Sequence, residues 1–131
     1  GTGSIGIEAL SRGASSCVFV DQADAPVRTI RQNVTRTKLA RRARVVRSDV
    51  RRFLRRTDDA FDLVFLDPPF AIAHAGLTET LQLAAERLDP GGTVVVSRPT
   101  RDATDVIPVN LRVATLLRYG DTTVLVCRGG E

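Results

Sequence analysis

The sequence predicts an α/β fold, a mostly parallel sheet finished by an antiparallel hairpin. Three observations carry that prediction. Short apolar runs at residues 17–21, 43–48, 61–66 and 93–97 alternate with longer stretches whose apolar residues recur at helical spacing, which is the pattern of successive β-α-β units. The chain opens Gly-Thr-Gly-Ser-Ile-Gly, so that Gly1, Gly3 and Gly6 have the G-x-G-x-x-G spacing of a tight turn feeding a helix. Residues 111–118 and 122–127 are strand-like runs joined by Tyr119-Gly120-Asp121, a link short enough to require an antiparallel hairpin.

Taken in order, the opening glycines permit positive φ and close approach of backbone to a ligand. The helix that follows ends at Gly13, which suits a C-terminal cap. Residues 17–21, Cys-Val-Phe-Val-Asp, form a strand ending in Asp21, twenty residues after Gly1. That is the distance at which a carboxylate meets ribose hydroxyls in nucleotide-binding α/β folds. Asp24 is the expected N-cap of the next helix, with Pro26 in its first turn, which leaves Asp21 for a ligand. Val27, Ile30 and Val34 give residues 25–37 an apolar helical face. The strand at 43–48 ends in Ser48-Asp49. Asp49 can cap a short helix over 50–56, accept from an adenine amino group, or do both.

Residues 61–66, Phe-Asp-Leu-Val-Phe-Leu, read as a strand buried on both faces. A small-residue loop with the lone His74 follows at 71–76, then an amphipathic helix over 77–88. Asp89-Pro90-Gly91-Gly92 reads as a turn, 93–97 as a buried strand and 98–110 as irregular. With no repeats and no composition break, the 131 residues are expected to form a single domain.

Composition narrows the function. No apolar run is long enough to span a membrane, and no signal-peptide pattern is present. Cys17 and Cys127 sit far apart in apolar runs and read as reduced core thiols of a cytoplasmic protein. With one histidine and two cysteines there is no metal-ligand spacing, so no metal is expected. Methionine is absent even at position 1. The sequence is therefore expected to be a piece of a longer chain, cut inside the glycine-rich loop and lacking the strand that precedes such a loop. Between Arg28 and Arg56 stand eleven arginines and one lysine against a single acid, Asp49. Arginine suits bidentate phosphate contacts, and this run reads as a surface facing nucleic acid.

The most informative stretch is Asp67-Pro68-Pro69-Phe70. Two prolines stop the strand before them, since proline brings no N–H to a ladder. The turn thus places a carboxylate and free carbonyls at the carboxyl end of a strand, where open α/β sheets bind ligands. An amino group on a heteroaromatic ring is a poor nucleophile because its lone pair is delocalised. Two acceptors aimed at its hydrogens favour a tetrahedral nitrogen with a localised pair. The Asp67 carboxylate and the Pro68 carbonyl are candidates for those acceptors. Pro69 stiffens the turn, and Phe70 can stack on the base, a contact worth about 1–3 kcal/mol.

In these motifs the chain resembles the Rossmann-like class I methyltransferases that use S-adenosylmethionine. More narrowly, it resembles the bacterial family that methylates the exocyclic N2 of a guanine in 16S ribosomal RNA. The stretches that carry the resemblance are GTGSIGIEALSRGA at 1–14, CVFVDQ at 17–22, VVRSDVRRFL at 45–54, FDLVFLDPPF at 61–70 and RYGDTTVLV at 118–126. The resemblance implies that Gly1 and Gly3 line the methionine side of the cofactor, that Asp21 holds the ribose, and that Ser48 and Asp49 flank the adenine. It implies that Asp67, Pro68 and Phe70, with Pro69, hold the target guanine. It further implies a first central strand and an N-terminal RNA-contacting region that this sequence lacks, and a monomer acting on an assembling 30S subunit. The family often has a second acid two residues beyond the ribose carboxylate, where Ala23 stands here.

Other readings share parts of the pattern. The same turn serves adenine-N6 and cytosine-N4 methyltransferases of DNA and glutamine methyltransferases of proteins. A nicotinamide-dependent oxidoreductase would use the glycines and Asp21 but leaves Asp-Pro-Pro-Phe without a role. A non-catalytic RNA-binding module would use the arginine surface alone.

Overall fold

The structure, a computed structural model, describes residues 3–69, 72–101 and 103–129. Gly1 and Phe70, two of the expected site residues, lie outside the described residues. The chain divides into two compact units, residues 1–53 and 54–131.

The first unit contains helix α1 (Ser4–Ser11), strand β1 (Cys17–Asp21), helix α2 (Asp24–Arg36) and strand β2 (Ala43–Arg47). The strands pair in parallel, from Cys17 opposite Ala43 to Asp21 opposite Arg47. Leu10 of α1, Phe19 of β1 and Ile30 and Val34 of α2 bury against one another; each such side chain contributes about 1.5–3 kcal/mol of apolar burial. Helix α1 stops where the sequence predicts. Gly13 has φ of 116°, its N–H donates to Leu10 O at 3.2 Å, and that of Ala14 donates to Ala9 O at 3.0 Å. These are the two bonds of a Schellman cap, which needs the left-handed residue that glycine supplies. Helix α2 starts differently from expectation: Ala23 is its N-cap and Asp24 its first helical residue. The carboxylate in the first turn still favours the positive end of the helix dipole.

Helix α3 (Val50–Arg56) leads into the second unit, which holds strand β3 (Phe61–Leu66), helix α4 (His74–Glu86) and strands β4 (Leu88–Pro99), β5 (Leu111–Tyr119) and β6 (Thr122–Gly129). Strand order is β3-β4-β6-β5. β3 and β4 run parallel, and the predicted hairpin adds β6 antiparallel to β4. One face forms the core: Val94 and Val96 lie opposite Cys127 and Leu125, and all four are fully buried together with Leu77 and Leu81 of α4. Both cysteines are free thiols, and burial raises Cys17 and holds Cys127 at about 11.

Three expectations are corrected. The parallel strands do not form one sheet among the described residues but two, β1-β2 and β3-β4-β6-β5. β3 is not buried on both faces: it is an edge strand, and Leu63 and Phe65 are 52% and 38% exposed. An apolar run reports hydrophobicity, not how many neighbours the strand acquires. The Asp89–Gly92 turn is absorbed into β4 as an interruption of the ladder, where Leu88 pairs with Phe61 and Thr93 with Leu63. Gly91 at φ of 81° makes that excursion feasible.

Two charged groups in the second unit are costly. Arg98 follows Val96 on the buried row of β4 and is 4% exposed, yet its Nε and Nη1 have no hydrogen-bond partner among the described residues. An unmet buried donor costs about 1–3 kcal/mol, so Arg98→Met is expected to raise the unfolding free energy of the full chain by about 1–3 kcal/mol, read from denaturant melts. Asp89 lies beside Asp62, and a hydrogen bond to that carboxyl, together with desolvation and charge repulsion, pushes its pKa above the usual carboxylate range. An acid raised in the folded state holds its proton longer there than in the unfolded chain. Stability therefore falls as pH rises from the ordinary aspartate value, about 3.9, through the folded value. Asp89→Asn is expected to be more stable than the parent at pH 7 and to lose that advantage below about pH 4, read from melts across pH.

Candidate active site

In the first unit, the carboxyl ends of β1 and β2 carry Asp21, Ser48 and Asp49. The Ser48 N–H donates to Asp21 O at 2.9 Å, so the two strand ends are stitched together. The Asp21 side chain is half-buried and accepts the Ala23 N–H on Oδ1 at 2.9 Å. It is thus not wholly free, as an Asp24 N-cap would have left it; its Oδ2 remains open among the described residues. Asp49 is the cap of α3: its Oδ1 accepts from Arg51 N at 2.9 Å and Arg52 N at 3.1 Å. The Ser48 hydroxyl donates to Asp49 O at 2.9 Å. Both oxygens of this pair keep spare lone pairs for a ligand donor.

Gly3 precedes α1 with φ of 80°, the left-handed conformation that the glycine spacing anticipates. Its missing side chain serves the core as well. A Cβ there would lie 3.2 Å from Ile30 Cγ1 and 3.3 Å from Phe19 Cε2. Gly6 is tighter still, with a Cβ falling 2.4 Å from Phe19 Cε2 and 2.8 Å from Cys17 Sγ. Here α1 lies almost directly on β1, the helix–strand closeness that the third glycine of such a motif provides. These contacts put Gly3 against Ile30 and the Phe19 ring, and Gly6 over Phe19 and Cys17 at the start of β1.

In the second unit, Asp67, Pro68 and Pro69 follow β3 directly. Asp67 and Pro69 are exposed and Pro68 is half-buried. The Pro69 carbonyl accepts the Ile72 N–H at 3.1 Å, which closes the turn. Among the described residues the Asp67 carboxylate has no hydrogen bond or ion pair, and the Pro68 carbonyl accepts none. Two acceptors in successive residues are thus open at the end of one strand. Arg98 is a residue that sequence reasoning missed: the last β3–β4 pair is Leu66 with Val96, and Arg98 stands two residues beyond it. A single Arg-Pro after an apolar strand gives no signal of burial. His74, expected in a loop, opens α4 and is exposed.

Parallel strands that end in carboxylates, helices between them and a terminal antiparallel hairpin define the Rossmann-like fold of the class I methyltransferases. The solved structure of yhhF from Escherichia coli superposes on the whole chain with a TM-score of 0.88 and 26% identity, and the chain covers 73% of it. The chain belongs to the family described as Conserved hypothetical protein 95, which it matches over residues 1–128. It is 35% identical to YlbH of Bacillus subtilis over 98 residues, which are 72% of this chain and 53% of that protein. It is 30% identical to Ribosomal RNA small subunit methyltransferase D of Escherichia coli over 112 residues, 84% of this chain and 55% of that protein. The chain thus spans about half the length of these curated relatives. The resemblance read from its motifs holds at the level of the family.

Gly6→Ala is expected to destabilise the full chain by about 1–3 kcal/mol, the usual cost of overpacking, because both Phe19 and Cys17 would have to move. A shifted denaturation midpoint with native-like circular dichroism is the readout.

Proposed function

We propose that the protein transfers a methyl group from S-adenosylmethionine to the exocyclic N2 of a guanine in 16S ribosomal RNA. The observation that carries this reading is the pair of open acceptors, the Asp67 carboxylate and the Pro68 carbonyl, in a chain of this family. In this reading the first unit holds the donor. The open oxygen of Asp21 accepts from the ribose hydroxyls, Ser48 and Asp49 flank the adenine, and Gly1 and Gly3 line the methionine end. The residues described fit that group: the strand ends offer acceptors for hydroxyl and amino hydrogens. When bound, S-adenosylmethionine supplies an activated methyl on a sulfonium.

The second unit holds the acceptor. Asp67 and Pro68 each take one hydrogen of the guanine amino group, which localises the nitrogen lone pair and aims it. Pro69 keeps the turn stiff, and Phe70 stacks on the base. Because the donor is already activated, positioning supplies most of the acceleration. The methylated nitrogen is acidic, and its proton passes to the Asp67 carboxylate or to water. The base must leave its stack to reach the turn, which suits a loop or an exposed strand of ribosomal RNA. The relatives support a ribosomal RNA substrate by their names, and these include Ribosomal RNA large subunit methyltransferase K/L of Chromohalobacter salexigens, 38% identical over 114 residues. The choice of the small subunit and of guanine N2 rests on the motif resemblance. We further propose that the enzyme works as a monomer in the cytoplasm on an assembling 30S subunit.

The test is transfer of a labelled methyl by the full chain to hypomethylated 30S subunits, 50S subunits, free ribosomal RNA and duplex DNA. Label on guanine N2 of the small-subunit RNA is expected. Label only on DNA or large-subunit RNA contradicts the reading. Asp67→Ala is expected to lower the rate more than about 100-fold, as loss of a preorganised transition-state contact does, while affinity for S-adenosylhomocysteine stays within about threefold. Retained transfer would remove Asp67 from the mechanism.

A further inference from the structure

The twelve cations between Arg28 and Arg56 are not equivalent. Several are occupied by the fold itself. Arg42 donates to the carbonyls of Leu10 and Ala14 and closes the end of α1. Arg28 pairs with Asp24 at 3.1 Å, and Arg47 reaches the same carboxylate at 3.7 Å and the Gln22 carbonyl at 3.3 Å. Arg55 pairs with Glu79. Arg44 and Arg51 also have partners.

Of the remaining six, Arg52 and Arg56 stand on α3, and the other four stand close in sequence on and just after α2. The side chains of Arg31, Arg36, Lys38 and Arg41 are exposed and make no hydrogen bond or ion pair among the described residues. They occupy the second half of α2 and the turn after it. Arg31 and Arg36 share a shallow hollow with Gln32 and Thr35, whose side chains also make no hydrogen bond among the described residues. This surface is turned away from the Val27, Ile30 and Val34 row that faces the core. The neighbouring acids are spent: Asp24 on Arg28 and Arg47, and Asp49 on the α3 cap.

We infer that the outer face of α2 from Arg31 to Arg36, continued by Lys38 and Arg41, is a docking track for the phosphodiester backbone of RNA. The inference rests on the proposed ribosomal RNA substrate and adds where that substrate is gripped outside the reacting base. Charge and chemistry both favour it. The surface offers guanidinium, ammonium, amide and hydroxyl donors, no free carboxylate and no exposed large apolar side chain. A backbone needs those donors and supplies the missing negative charge. Such contacts are sequence-independent and release counterions, so each leaves a measurable mark on the salt dependence of binding.

The test uses the full chain and a fluorescein-labelled single-stranded RNA, with binding followed by anisotropy across a potassium chloride series. The double variant Arg31→Gln/Arg36→Gln is compared with Arg112→Gln/Arg118→Gln, which removes the same charge from exposed positions on β5. The α2 pair is expected to lower the slope of log affinity against log salt by about 1.4, two contacts at roughly 0.7 each for single strands. The β5 pair is expected to leave the slope unchanged, and S-adenosylhomocysteine affinity should be the same in all three proteins. Equal loss in both double variants, or loss in neither, overturns the track. Polyglutamate that competes as well as RNA of equal charge overturns its assignment to RNA. Methyl transfer to ribosomal RNA without the slope difference would sink the track and leave the enzymatic reading standing. The slope difference without any transfer would do the reverse.

Discussion

Two consecutive prolines at the end of β3 constrain the proposed chemistry more than any other feature. Neither can donate to a ladder, so pairing stops, and the carbonyl of the first is left without a donor from its own turn. The carboxylate before it is equally unclaimed among the described residues. Open acceptors cost little while water reaches them, and exposed Asp67 is so placed. In the proposed complex, a base that displaced that water would leave the same oxygens in a lower dielectric, where they would be stronger partners for N–H groups. The turn thus carries its open acceptors at low cost in the free protein, and its stiffness comes from the fixed φ of proline.

The first unit meets a different constraint. Its two parallel strands must end level, so that Asp21 and Ser48 are neighbours, and α1 must approach close enough to pack on them. The approach is set by glycine. Phe19 occupies the space that side chains at positions 3 and 6 would need, and the ring closes the core with Leu10, Ile30 and Val34. The glycine spacing therefore has a packing cause alongside any ligand cause. Arg42, which looks like one more surface cation, holds the far end of the same helix.

Much of this was legible in the residues. Strand β1 and the hairpin are local patterns: an apolar run that stops at an acid, and two runs across a Gly-Asp link. The apolar face of α2 and the glycine stop of α1 are equally local. What escaped was everything set by distant neighbours. The exposure of Leu63 and Phe65 depends on which strands flank β3, and hydrophobicity alone carries no such information. The N-cap of α2 shifted by one residue because Asp21 claims the Ala23 N–H. The excursion at Asp89–Gly92 reads as a turn in sequence because Pro-Gly-Gly is turn chemistry; the ladder simply resumes on its far side. The division of the arginines into engaged and open sets was also invisible, since it depends on carbonyls and carboxylates far along the chain. Asp49 was legible as a cap because an acid just past a strand and before a helical stretch is capping chemistry.

The most direct measurement is a crystal structure of the full chain with S-adenosylhomocysteine and an RNA carrying the target guanine. The account predicts the exocyclic nitrogen about 2.7–3.2 Å from both the Asp67 carboxylate and the Pro68 carbonyl. A guanine seated elsewhere, with those two oxygens still facing water, would contradict it.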